Sequence, residues 1–281
     1  MSSSGVHHPE KGHVSRRGVL GRGLAGAFLG LAAPSLSGCA APAIVAVTGG
    51  VDPERTAAYR TLALRAIPVV EDLWGTDTVP LPVRLDLPAT LTAWSAATGH
   101  KPDKQGYAAS TVRLAASARG GAMTRGTADE NSDDVRIVMH PDAWVELGPE
   151  GRLGVIVHEV THLVMGTGEG APWWLGEGLA EYTAHRTSAR SLEQIAGSAW
   201  GPIVGTPPTS WPTENAQQPW QGYASAWLAC VFIAETAGEE ALLALYNRVC
   251  AGRALDRACR DVLGRGESDL RQDWSRWLSE Q

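Results

Sequence analysis

The sequence predicts an α+β fold: a small N-terminal mixed sheet packed on one helix that carries an HExxH motif, followed by a mainly helical C-terminal lobe. Three observations predict it. Short runs of alternating apolar and polar residues, bounded by Pro and Gly, lie before residue 140. The apolar stretch Leu153–Met165 holds His158, Glu159 and His162 and little else that is polar. From Tyr223 onward, apolar residues recur at helical spacing.

Taken from its start, Met1–Gly38 reads as an export leader. Ser15-Arg16-Arg17-Gly18-Val19-Leu20 resembles a twin-arginine signal, and the Gly/Ala/Leu run that follows is too short and too rich in glycine for a permanent membrane span. Leu36-Ser37-Gly38-Cys39 resembles the lipobox of bacterial lipoproteins. That resemblance implies a mature chain beginning at an acylated Cys39, exported by the twin-arginine route and held at the cell envelope on the outer face of the cytoplasmic membrane. His7, His8 and His13 fall in the leader, so their clustering is not evidence of a metal site.

Residues 39–52 read as a tether of Ala, Pro, Val and Gly. The folded domain, 53–281, starts at Asp52-Pro53, an N-cap followed by proline, and Ala57–Trp74 has the spacing of a helix. Val79–Leu87 alternates with prolines at its margins, which predicts a strand near an edge. A short helix at Leu91–Ala97, an alternating run at Ala109–Ala115 and a strand at Val135–Met139 lead into the motif helix, and the sheet and this helix occupy about 53–187. Gly197–Gln221, with five prolines and three tryptophans, predicts a long loop that either walls a cleft or covers the core. Tyr223–Thr236, Glu239–Val249, Leu255–Leu263 and Leu270–Leu278 then form a helical lobe over about 220–281.

The chemistry lies in two helices. His158 and His162 are four apart on one helical face, so both imidazoles can meet one metal ion, with Glu159 beside them as a base for a water in the open coordination position. In Trp173–Tyr182, Glu177 and Glu181 are again four apart and aim at one place; one carboxylate ligates and the other orients. We assign Glu177 as the third ligand and Glu181 as the acceptor for the free ring N–H of His158. Glu169, flanked by glycines in Gly166–Gly170, is the rival ligand and is held less firmly than a helical residue. His185 reads as solvent-facing, and His100 and His140 as structural.

HExxH followed by Trp174-Leu175-Gly176-Glu177-Gly178-Leu179-Ala180-Glu181-Tyr182 resembles the gluzincin metallopeptidases, particularly the peptidase MA-like domains of bacterial secreted proteins. The resemblance implies a gluzincin-like fold, Zn2+ as cofactor, a peptide or protein as substrate, and hydrolysis of peptide bonds with Glu159 as catalytic base. It also implies a tyrosine that stabilises the oxyanion from a helix after the ligand helix, with Tyr223 the candidate and Tyr182 the alternate. A sheet-edge strand should line the cleft and take an extended peptide as a further strand; we place it within Gly120–Arg125.

The formal net charge of −6 becomes more negative once the basic leader is removed, which excludes nucleic acid as an expected partner and leaves the acyl group at Cys39 as the membrane contact. Cys230, Cys250 and Cys259 remain, an odd number; Cys250–Cys259 is the favoured pair for one disulfide, and the pairing stays open. Two other functions fit the same residues: a lipid-anchored binding or assembly protein that keeps the fold, and a zinc hydrolase of a non-peptide amide. The buried acid of HExxH has no use in the first, and nothing in the sequence separates the second.

Overall fold

Asp52 begins the first helix because its carboxylate accepts the Arg55 N–H at 2.8 Å and Pro53 needs no intrahelical partner in the first turn. The computed structural model describes residues 44–101, 108–113, 135–166, 170–214 and 218–281, all within the unit Pro42–Gln281. The leader, Cys39, Gly120–Arg125 and Glu169 lie outside the described residues.

The order is β1 (Val45–Gly49), α1 (Pro53–Trp74), β2 (Val83–Leu87), α2 (Leu91–Thr98), β3 (Ala109–Arg113), β4 (Val135–Met139) and α3 (Ala143–Glu146). Then come α4 (Pro149–Met165), α5 (Trp173–His185), α6 (Leu192–Ala196), a 3-10 turn (Gly197–Ala199), α7 (Trp200–Gly205), α8 (Pro219–Ala237), α9 (Glu239–Cys250), α10 (Leu255–Leu263) and α11 (Glu267–Ser279). The class is α+β with a small four-stranded mixed sheet in the order β1-β2-β4-β3. β1, β2 and β4 run parallel, Val45 facing Val83 and Leu85 facing Ile137, while β3 pairs antiparallel with β4, Thr111 facing Ile137.

Three expectations are corrected. Val45–Gly49, read as tether, is a strand, so the ordered domain starts before residue 53; its β-branched residues gain from pairing with β2. β2 is interior, because Pro80, Pro82 and Pro88 all fall outside the hydrogen-bonded segment. The expected long loop at 197–221 contains the 3-10 turn and α7, preceded by α6. Ser191 starts α6 with a reciprocal capping box to Gln194, and Pro202 is accepted in the first turn of α7.

Two cores position the site. Val83, Leu85, Leu87 and Ile137 of the sheet pack with Tyr59, Leu62, Ala66 and Val70 of α1 and with Ile156, Val157 and Val160 of α4. The second core joins α5 to the following helices, and in it Trp211 lies stacked between Trp174 (4.2 Å, 12°) and Trp274 (5.4 Å, 23°). The tryptophans of the 197–221 segment therefore divide: Trp200 and Trp211 cover the core, while Trp220 lines a cavity. No disulfide forms among the described residues, since Cys230, Cys250 and Cys259 are free. Cys230 and Cys259 are instead packed as small apolar side chains, and burial pushes the Cys259 thiol up to about 12. No helix of the described residues is long and apolar enough to cross a membrane.

Candidate metal centre

α4 turns two faces to different surroundings. Ile156, Val157 and Val160 enter the sheet core, which leaves His158 and His162 directed at α5 and the Glu159 carboxylate turned to β3. Gly166 ends the helix with φ +70°, a conformation glycine adopts without a steric penalty. On the other side, Leu175 and Leu179 anchor α5 in the helical core, and Gly178 allows its backbone to approach the Ala226 carbonyl of α8 closely. Glu177 and Glu181 lie on the side of α5 away from Leu175 and Leu179, so this contact fixes the rotation of the helix that turns both carboxylates towards α4.

The result is a donor cluster. Nε2 of His158 and Nε2 of His162 are 3.0 Å apart, and Oε2 of Glu177 lies 3.2 Å from the first and 3.4 Å from the second. A tetrahedral zinc with bonds of about 2.0–2.1 Å requires donors roughly 3.3 Å apart, so the three atoms stand at the edges such an ion needs. His158, His162 and Glu177 could therefore hold a metal ion. Two imidazoles and one carboxylate make a donor set suited to Zn2+ with one position left open.

Around the cluster, the second carboxylate lies within ion-pair distance of two imidazoles. Oε1 of Glu181 lies 3.2 Å from Nδ1 of His158, and its Oε2 lies 3.3 Å from Nε2 of His185. His185, expected to face solvent, is instead partly buried against Glu181 and Trp227, because α4 covers the end of α5 where Gly154 has no side chain. Glu159 is buried, and the Thr111 hydroxyl of β3 donates to its Oε2 at 2.7 Å. Sequence reasoning missed Thr111, because the contact joins a strand to a helix 48 residues away.

Burial alone would lower the His158 pKa, yet the carboxylates of Glu181 and Glu177 hold it well above its ordinary value. Burial would raise the two glutamates, and the imidazoles outweigh it: Glu177 is far below the usual carboxylate range, and Glu181 is held at about 2 by His158 and His185.

Of the two tyrosines, Tyr223 sits at the site, its ring centroid 6.2 Å from that of His158 and 5.2 Å from that of Trp173. Tyr182 does not. Its hydroxyl donates to Glu239 Oε1 at 2.8 Å, and burial together with that bond pushes its pKa well up, which removes it as the alternate. His100 and His140 flank the buried Trp94, at 5.5 and 4.8 Å between ring centroids, away from the cluster. No family model matches the chain, and no curated protein or solved structure matches it either.

Proposed function

We propose that the chain is a zinc-dependent metallopeptidase of the gluzincin kind, anchored by lipid at Cys39. One observation carries the reading: three nitrogen and oxygen donors converge to the separations of a tetrahedral ion, while Glu159 of the same helix stays outside the cluster, buried and oriented by Thr111. A purely binding role gives no reason to bury such an acid. His158, His162 and Glu177 would hold the ion, which when bound would supply Lewis acidity for a water and for the scissile carbonyl.

The chain's own residues do the remainder. Glu159 accepts the proton of the attacking water and returns it to the leaving amine, and the Thr111 hydroxyl fixes the carboxylate plane by holding Oε2. The Tyr223 phenol serves as the donor to the developing oxyanion. Glu181 keeps the His158 ring at its angle, and His185 holds the other oxygen of Glu181. β3, which among the described residues has a strand neighbour on one side only, borders the cleft through Ala109, with Ala108 just before it, and offers main-chain groups to an extended peptide.

Hydrolysis of an unbiased peptide pool tests the reading. Glu159→Gln should keep its metal and lose roughly 10²–10⁴-fold in rate, since a carboxamide cannot take the proton. Thr111→Val should also keep its metal and fall between the two in rate. Equal turnover by wild type and Glu159→Gln would remove Glu159 from the mechanism.

A further inference from the structure

Two arginines from different helices stand over one tryptophan, Trp144 of α3. Cζ of Arg152 lies 3.9 Å from the ring centroid of Trp144, and Cζ of Arg55 lies 5.3 Å from it. Arg55 is the third residue of α1 and Arg152 the fourth of α4. Tyr59, one turn along α1 from Arg55, places its ring centroid 5.5 Å from that of Trp144.

Contact with the indole accounts for the faces of the guanidiniums and leaves their N–H groups unexplained. Nε of Arg55 and both Nε and Nη1 of Arg152 are buried without a hydrogen-bond acceptor, and so is the hydroxyl of Tyr59, a residue only 2% exposed. Burial pushes the Tyr59 phenol up, and the positive charges of Arg152 and Arg55 act against it, which puts both cations in reach of the same hydroxyl. The carboxylate beside them is Asp52. Its Oδ2 is 3.7 Å from Arg55 Nε, beyond hydrogen-bond distance, and its Oδ1 already accepts the Arg55 backbone N–H. Among the described residues no carboxylate pairs with Arg152. Buried donors, two of them on cations, cost stability until an acceptor reaches them.

A small cavity shows what kind of acceptor fits. It measures about 10 Å³, room for one oxygen atom, and Arg55, Tyr59 and Trp144 line it together with Val51 and Leu87. The other polar side chain on its wall, His140, spends Nδ1 on the Asp142 N–H. The surroundings favour negative charge. Both arginines sit at helix N-termini, and α4 begins at Gly148 with no side-chain cap. Two guanidinium charges match a doubly charged group, whereas a single carboxylate would leave one of them unmatched.

We propose that Arg55, Tyr59 and Arg152 form an oxyanion site for a phosphate group, either the free ion or a small phosphomonoester. One phosphate oxygen enters the cavity and accepts the Tyr59 O–H, and the two guanidiniums neutralise the charge of the group. The site is independent of the peptidase reading, since none of its residues belongs to the metal centre.

Calorimetric titration of the zinc-loaded full chain with inorganic phosphate and with glycerol 3-phosphate, at pH 7 and constant ionic strength, tests it. Saturable binding is expected. Tyr59→Phe and Arg152→Met, whose unbranched side chain still packs on Trp144, should each weaken it roughly 10–100-fold, the range for one hydrogen bond to a charged group. Binding of inorganic phosphate alone identifies the free ion as the ligand, and binding of both admits the ester. No saturable binding overturns the proposal. So does binding that either folded variant retains undiminished, which is the result expected of phosphate held at the metal centre.

Thermal melting gives a second test that does not need Arg152→Met to fold. Because the Tyr59 hydroxyl has no partner in the protein, Tyr59→Phe should melt at or above wild type in phosphate-free buffer and should gain less from saturating phosphate. A Tyr59→Phe protein that melts below wild type without phosphate, or gains as much from it, overturns the site.

Discussion

His158 shows at the scale of one residue how the site uses its charges. Its Nε2 faces Glu177 and its Nδ1 faces Glu181, and with no ion bound this pair of carboxylates outweighs burial and favours the protonated ring. Ligation needs a neutral ring, so uptake of the ion competes with the proton that the two carboxylates favour, and affinity should fall as the pH is lowered. Calorimetric titration with Zn2+ at several pH values, in buffers of different ionisation enthalpy, reads the protons displaced; we expect net release that grows as the pH is lowered, and none at any pH would contradict the account. The same shifts govern the metal-free fold. A raised His158 value adds stability that is complete below its unfolded pKa of about 6.5 and is lost as pH rises through the folded value. Glu181, lowered from 4.5 to about 2, adds stability present above pH 4.5 and lost as pH falls towards 2.

At the scale of elements, the contact between α5 and α8 sets where Glu177 and Glu181 stand. A Cβ on Gly178 would collide with the Ala226 carbonyl oxygen and come within 2.9 Å of Cys230 Sγ, whereas one on Gly176 would meet nothing within 4 Å. Two neighbouring Gly→Ala changes should therefore have opposite signs. Gly178→Ala should destabilise by about 1–3 kcal/mol through overpacking, and Gly176→Ala should stabilise by up to about 1 kcal/mol through helix propensity. Thermal melting of the two variants checks this, and a Gly178→Ala protein as stable as wild type would show that α5 is not held by that approach. The boundary between what was legible and what was not follows the same line. Spacing of four residues fixes a face of its own helix, so the convergence of His158 with His162, and of Glu177 with Glu181, could be read directly. Thr111 could not, since its partner Glu159 is on another element; the spacing of His185 from Glu181 was legible, but its burial against Trp227 and α4 was not. The start of α6 was legible in principle as Ser191-x-x-Gln194, but the prolines that follow masked it.

For the whole molecule, the sheet core and the helical core meet through α4 and α5, and the site lies where those two helices face each other. The strand β1 was misread as linker because a short run of Val, Ala and Thr shows its nature only when β2 is there to pair with it. Lipid at Cys39 is the proposed attachment of this domain to the envelope, and radioactive fatty acid should label wild type and not Cys39→Ser; unchanged labelling would exclude that cysteine as the lipid site. The central claim is that His158, His162 and Glu177 hold the ion while Glu181 and Glu159 do not. Metal content of purified variants tests it most directly, measured per protein chain before and after a timed exposure to a chelator. We predict that Glu177→Ala is isolated largely without zinc and that Glu159→Gln and Glu169→Ala match wild type. Glu181→Ala should hold zinc but bind it roughly 10–100-fold more weakly, as outer hydrogen-bond partners of ligating histidines do. Zinc retained by Glu177→Ala and lost from Glu169→Ala would contradict the account and move the third ligand from α5 to the segment before it.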